Sequence, residues 1–256
     1  MNEEHRDIDG SDPRAPDHVA TAVVIGRAGS KGLPGKNALP VGGMPMIARS
    51  VGHARQARTI GRVLCSTDGP EIAAAAEAAG AEIMLRPEEL ADDLATVDSA
   101  VRHAVDAAGD EAGIVVVLYG NIPIRPDGLL DRAVDRLVAT GADSVQSYSP
   151  VGKHHPWWTC RLGVDGQVSP WEPNTAYRRQ DLPPAHIPDG GVIAVTRASL
   201  FTVEPGKPHA FLGQDRRGVI NPEGSVVDVD DEIDLLVAEA MIARDARATE
   251  RIGEPR

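Results

Sequence analysis

Short apolar runs recur along the chain, separated by stretches in which apolar positions return every three or four residues. Val19–Ile25, Arg62–Ser66, Ala81–Leu85, Ile114–Leu118, Ser144–Tyr148, Gly191–Val195 and Val226–Val229 are brief and mostly rich in Val, Ile, Leu and Ala, and they read as strands. Helical spacing marks Met44–Ala57, Pro70–Ala79, Asp98–Ala108 and Asp127–Thr140, and a last helix runs from about Asp231 to Arg251. Gly80 and Gly141 stand just past two of these helices, where a residue tolerant of positive φ ends the spiral. Strands alternating with helices predict an α/β domain whose mostly parallel sheet is covered on both faces.

Two segments break the rhythm. Residues 149–189 are rich in proline and hold Trp157, Trp158, Trp171 and Tyr177, so they read as an arm or lid outside the core. Residues 1–18 are acidic and rich in Asp and Pro, which predicts a disordered tail ahead of one catalytic domain over 19–256. The tail has no apolar stretch of the kind a signal peptide or membrane span requires, so no membrane partner is expected. No repeat is visible at periods of about 20 to 50 residues, which excludes a solenoid.

Composition narrows the picture. The 256 residues are 42% hydrophobic, enough for one sizeable core. All eight aromatic residues come after Leu118, so Val, Ile, Leu and Ala must pack the first half, as suits strands between helices. With 38 acidic against 26 basic residues the net charge is -12, and nucleic acid is not expected as a partner. The two cysteines, Cys65 and Cys160, form neither a disulfide framework nor a zinc quartet, which points to a reducing cytoplasm.

Candidate chemistry begins directly after the first strand, in GRAGSKGLPGKN, residues Gly26–Asn37. Its four glycines let backbone amides approach an anion, and Arg27, Lys31 and Lys36 add positive charge. A triphosphate fits that combination, at the strand end where open α/β sheets bind ligands. The loop is neither GxGxxG nor GxxxxGK[ST], which leaves a dinucleotide fold or a P-loop ATPase without support. The plain alternative is a glycine-rich connection with solvated cations.

Near the other end, VVDVDDEID places Asp228 and Asp230 two residues apart, on one face of the last strand. Two adjacent carboxylates need a cation, and Mg²⁺ binds one or two carboxylates together with substrate phosphates. Capping of the last helix is the competing reading for Asp230 and the preferred one for Asp231.

RAGSKGLPGKN resembles the R-x-x-SKG-x-x-x-KN signature of the acylneuraminate cytidylyltransferases, and LPVGGMPMI resembles its continuation. The likeness extends through Ser66–Asp93, Tyr177–Val195 and Val226–Glu239, in the same order. It implies a Rossmann-like three-layer α/β/α nucleotidyltransferase sandwich with an extended arm that pairs two copies into a homodimer. It also implies that CTP is joined to a sialic-acid-like sugar acid with loss of pyrophosphate, with Mg²⁺ as cofactor. Arg27, Ala28, Gly29, Ser30, Lys31, Lys36, Asn37 and Arg86 would then bind the nucleotide. Arg27, Lys31, Asp228 and Asp230 would be the catalytic set, the two aspartates holding the metal, while Tyr119, Asn121, Arg179 and Gln180 would meet the acceptor.

Departures gather on the acceptor side. The family motif LQPTSPLR reads LYGNIPIR here, Leu118–Arg125, and Gly120-Asn121 resembles the Gly-Asp of ketodeoxyoctonate cytidylyltransferases with the charge removed. Asp189-Gly190-Gly191 stands in place of Asn-Gly-Ala. Other acids, such as a ketodeoxyoctonate-like sugar or a phosphonate, therefore stay open, as does an inactive nucleotide-binding homologue. His154 and His155 read as solvated or inter-subunit residues, Arg179 as an acceptor ligand or a surface ion pair, and the tryptophans as a substrate wall or an interface.

Overall fold

Alternate residues of Ala20–Ile25 (β1) point to opposite layers, Ala20, Ala22 and Val24 to one and Val23 and Ile25 to the other. Both layers are covered, so all of β1 is buried, and a strand in that position reads as an unbroken apolar run. The structure, a computed structural model, describes residues 20–30, 32–92 and 95–253. The predicted tail over 1–18 lies outside the described residues.

Strand β1 is joined by Ile60–Thr67 (β2), Glu82–Leu85 (β3), Ile114–Tyr119 (β4), Ser144–Pro150 (β5), His186–Thr196 (β6) and Arg216–Ile220 (β7). They form one seven-stranded sheet in the order β7-β5-β6-β4-β1-β2-β3. All run parallel except β6, which is antiparallel to both β4 and β5.

The helices are Met46–Gln56 (α1), Pro70–Ala78 (α2), Val97–Ala107 (α3), Leu129–Thr140 (α4), Arg197–Leu200 (α5) and Glu232–Gly253 (α6). On one face of the sheet α1, α2 and α4 bury Ile47, Val51, Ile72, Leu129, Leu130, Val134 and Leu137. On the other, α3 and α5 bury Val101, Val105 and Leu200 with Phe211 and Leu212. Each such Val, Leu, Ile or Phe contributes roughly 1.5–3 kcal/mol relative to its exposed state, which holds the three layers together. Local signals agree with the packing: Thr96 caps α3 by accepting from the Ser99 amide, and α4 ends at Gly141 with φ 63°.

The predicted elements need three corrections. Val226–Val229 is not a strand of the sheet but an extended segment with a single bridge between Val227 and Ile124. The Val227 amide donates to Ile124 O at 3.3 Å and the Val229 amide to Asn121 O at 3.0 Å, while both valines are buried against Val41, Met46 and Ala238 of α6. Strand β7 was not predicted, because RRGVI has only two apolar residues and lies at the sheet edge, where burial demands little. Met44–Pro45 pairs with Pro40–Val41 as a short hairpin, so α1 begins at Met46.

The arm leaves the sheet at the end of β5 and returns at the start of β6, where His186 faces Pro150. Within it Cys160–Leu162 and Val168–Pro170 form a small hairpin, and Trp158, Leu162, Val168, Trp171 and Tyr177 are exposed. His155 is buried: one ring nitrogen pairs with Pro183 O at 3.0 Å and the other accepts from the Trp157 amide at 3.1 Å, pinning two parts of the arm. Cys65 is buried in β2, and burial pushes its thiol up to about 12, whereas Cys160 is exposed in the hairpin. Among the described residues no helix is long and apolar enough to cross a membrane.

Candidate active site

The carboxyl ends of β1 and β4 open into a cavity of about 490 Å³. One wall is the glycine-rich loop, through Gly26, Arg27, Ser30, Gly32, Lys36 and Asn37. The opposite wall comes from Arg86, after β3, and from Asp92 and, at the start of α3, Thr96, Val97 and Ala100. Tyr119, Asn121 and Asp230 complete it.

Side-chain hydrogen bonds shape the loop. The Asn37 amide donates to Arg27 O at 2.9 Å, and the Ala28 amide donates to Asp68 Oδ1 at 2.8 Å. Asp68 is not among the residues singled out from the sequence; its place just past the end of β2, at the same sheet edge, is the signal that marks it. Glycine is required at 32, where a Cβ would lie 2.7 Å from the carbonyl oxygen of Asp230. A Cβ at Gly120 would lie 2.8 Å from Asn37 Oδ1. The Ser30 hydroxyl and Asn37 Oδ1 are buried without a hydrogen-bond partner, in residues that line the cavity. Buried polar atoms of this kind are ordinarily satisfied, so a bound polar group there is the simplest account.

The aspartates approach from the far side. The bridge to Ile124 and the buried Val227 and Val229 turn Asp228 and Asp230 outward on the same side of their segment. Asp230 Oδ1 pairs with Lys36 Nζ at 2.5 Å, so the glycine-rich loop and the acidic segment meet directly. Asn121 Nδ2 donates to Asp228 Oδ1 at 2.5 Å and to Val229 O at 3.2 Å, and reaches Asp230 Oδ1 at 3.4 Å. Burial and then the neighbouring Asp230 push the Asp228 carboxyl up to about 6, against the opposing pull of Lys36. Asp231 caps α6, accepting from the amides of Ile233 and Asp234, while Asp234 accepts from the amides of Asp230 and Asp231.

These two carboxylates fit a hard cation that takes few protein ligands and fills its shell with phosphate oxygens and water. Among the described residues there is no cluster of three or more His, Cys, Asp or Glu that could hold a metal by itself. Arg86 is largely buried, which lowers its pKa, and is held by Ser66 through Nε to the hydroxyl and Nη2 to the carbonyl, both at 2.9 Å. Burial, and then Asp228, raise the phenol of Tyr119.

Of the residues singled out from the sequence, Arg27, Ser30, Lys36, Asn37, Arg86, Tyr119, Asn121 and Asp230 line the cavity. Asp228 stands beside it through Asn121. Ala28 and Gly29 are exposed on the loop, and Lys31 lies outside the described residues. Arg179 and Gln180 are not brought to the cavity: both are exposed on the arm, with Arg179 3.5 Å from Glu223.

A sequence model of the family described as cytidylyltransferase matches residues 21–170. An N-acylneuraminate cytidylyltransferase of Streptococcus agalactiae is 28% identical over 172 residues, covering 66% of this chain and 41% of the relative. The chain thus spans about two fifths of the length of that streptococcal protein. The CMP-N,N'-diacetyllegionaminic acid synthase of Legionella pneumophila is 30% identical over 239 residues, covering 86% of this chain and 95% of the relative. Among solved structures, a CMP:2-keto-3-deoxy-manno-octonic acid synthetase complexed with CTP superposes with a TM-score of 0.68 at 17% identity, over 90% of this chain and 100% of that one. At that identity the likeness speaks for the fold.

Proposed function

The chain belongs to the cytidylyltransferase family, and from that premise we propose that it couples CTP to a sialic-acid-like nonulosonic or related sugar acid, giving a CMP-activated acid and pyrophosphate. The observation that carries this reading is the single cavity in which the glycine-rich loop meets the acidic segment, joined by Lys36 and Asp230 at 2.5 Å. Near full-length similarity to a legionaminic acid synthase favours a nine-carbon acid as acceptor.

In this reading the loop amides, Arg27, Lys31 and Lys36 hold the triphosphate, and Arg86 lines the same cavity. Asp228 and Asp230 would hold Mg²⁺, which when bound neutralises charge on the phosphates and leaving group. The acceptor hydroxyl attacks the α-phosphorus in line and gives up its proton to solvent, its oxygen bonding to phosphorus as the bond to pyrophosphate breaks. Cations fixed before the reaction stabilise that charge shift without reorganising. Tyr119 and Asn121 line the same cavity and would meet the acceptor there, whereas Arg179 and Gln180, exposed on the arm, are outside it. The exposed apolar residues of the arm support a homodimer formed through it.

The test is pyrophosphate release by the purified protein with each of the four nucleoside triphosphates, with and without Mg²⁺, over a panel of acids. N-acetylneuraminate, a legionaminate, ketodeoxyoctonate and a phosphonate form that panel. Turnover confined to CTP with a nonulosonic acid is expected. Turnover with ketodeoxyoctonate alone would favour the eight-carbon alternative, to which Gly120-Asn121 points, and CTP binding without turnover of any acid would overturn the enzymatic reading.

A further inference from the structure

Beneath the cavity lies a polar cluster with no part in the reading above. Arg125, between β4 and α4, is only 6% exposed. Its Nε donates to Gly191 O at 2.7 Å, Nη2 to Tyr119 O at 2.9 Å, and Nη1 to Ile122 O at 2.5 Å and to Ser50 Oγ at 3.0 Å. His53 Nδ1 lies 3.3 Å from Nη1. A guanidinium only donates, so that nitrogen must accept and the imidazole proton sits on Nε2. The Ser50 hydroxyl, fully buried, lies 3.1 Å from both Tyr119 O and Ile122 O.

Buried cations are ordinarily paired with carboxylates; the hydrogen-bond partners of this one are carbonyls, a hydroxyl and an imidazole, and the carboxylates of Asp228 and Asp189 act on it only through space. What the arrangement provides is geometry: a rigid fork fixes three carbonyls relative to one another, as a lysine cannot. Two of those carbonyls, of Tyr119 and Ile122, bracket Gly120-Asn121, and the third ties that turn to β6 just after Asp189-Gly190. Asn121 in turn carries the contact to Asp228.

We propose that Arg125 is a positioning residue for the reaction: its guanidinium sets the turn from Tyr119 to Ile122, and through Asn121 the place of Asp228, without touching the nucleotide. The proposal rests on the functional reading above, and it has a part that can fail independently.

The experiment compares wild type with Arg125→Met and Arg125→Lys. It measures CTP affinity by calorimetry, steady-state pyrophosphate release with an acid that the wild type turns over, and amide hydrogen exchange of residues 119–122. The expected result for Arg125→Met is a CTP Kd within about twofold and a kcat lower by about 100-fold, the loss a misplacement near 1 Å can bring. The Gly120 and Ile122 amides, which donate to Ile25 O and Tyr119 O, should exchange faster. Arg125→Lys should recover thermal stability better than kcat, because charge is kept and the fork is lost. Wild-type kcat in either variant, or a fall in kcat matched by an equal loss of CTP affinity, overturns the proposal. If Arg125→Met does not fold, Arg125→Lys alone decides. If the wild type turns over no acid, the functional reading fails, and exchange still judges Arg125: unchanged rates in the turn overturn its role there.

Discussion

Asp230 faces solvent with its side chain 70% exposed, yet its ion pair with Lys36, itself only 18% exposed, joins the two halves of the cavity. An ion pair open to water on one side contributes about 0–1 kcal/mol to stability. Asp230→Asn should therefore leave the thermal midpoint within a few degrees of wild type while lowering Mg²⁺-dependent pyrophosphate release by about 10²- to 10³-fold, the scale of losing one fixed electrostatic group. Steady-state kinetics across a magnesium titration, beside a melting curve, checks both halves. At this scale the aspartates were legible, because two-residue spacing in an extended segment puts both on one side whatever that segment pairs with. The donor role of Asn121 was not, since it depends on Val229 bonding to the Asn121 carbonyl, a contact between positions 108 residues apart. Arg125 was equally silent: nothing in LYGNIPIR shows that its last side chain turns back onto the carbonyls of Tyr119 and Ile122.

Among elements, the loop after β1 and the segment before α6 meet where a side chain is forbidden. Gly32 has the Asp230 carbonyl where its Cβ would be, and that carbonyl is backbone held by α6 capping and by Val229. In Gly32→Ala the two must separate by a few tenths of an ångström or more, which should lengthen the Lys36 to Asp230 pair. CTP affinity is expected to fall by about tenfold, equivalent to about 1.4 kcal/mol, with a smaller change in stability. Calorimetry with CTP measures it, and wild-type affinity would show that the close approach is unimportant. Six of the seven sheet strands were readable as short apolar runs, and every helix except the four-residue α5 from its three-to-four-residue spacing. Edge strand β7 and the bridge at Val227 escaped that logic, the first because an edge asks little of its sequence, the second because two apolar residues in an extended chain look alike whether or not a sheet receives them.

For the molecule as a whole, the cluster around Arg125 predicts how stability responds to acid. Burial, and then the charges of Arg125 and Arg49, depress His53 from its ordinary 6.5 to about 3 in the folded chain. Between those values the unfolded chain binds the proton and the folded chain resists it, so stability falls as pH is lowered from 6.5 toward 3. The slope from this one group is at most about 1.4 kcal/mol per pH unit. His53→Gln retains an acceptor for Arg125 and cannot take the proton. In urea unfolding at pH 7 and pH 5, the stability difference between wild type and variant should shift in the variant's favour at the lower pH. A constant difference would mean that His53 is protonated in the folded state after all.

The two sulfurs occupy opposite situations, and this has a practical consequence. Cys65, sealed inside β2 with its thiol held protonated, gives electrophiles neither access nor a thiolate, while Cys160 sits in the open on the arm hairpin. A maleimide dye added to the unaltered protein therefore marks a single place, and the native sequence supplies its own probe of whatever comes to rest against that hairpin.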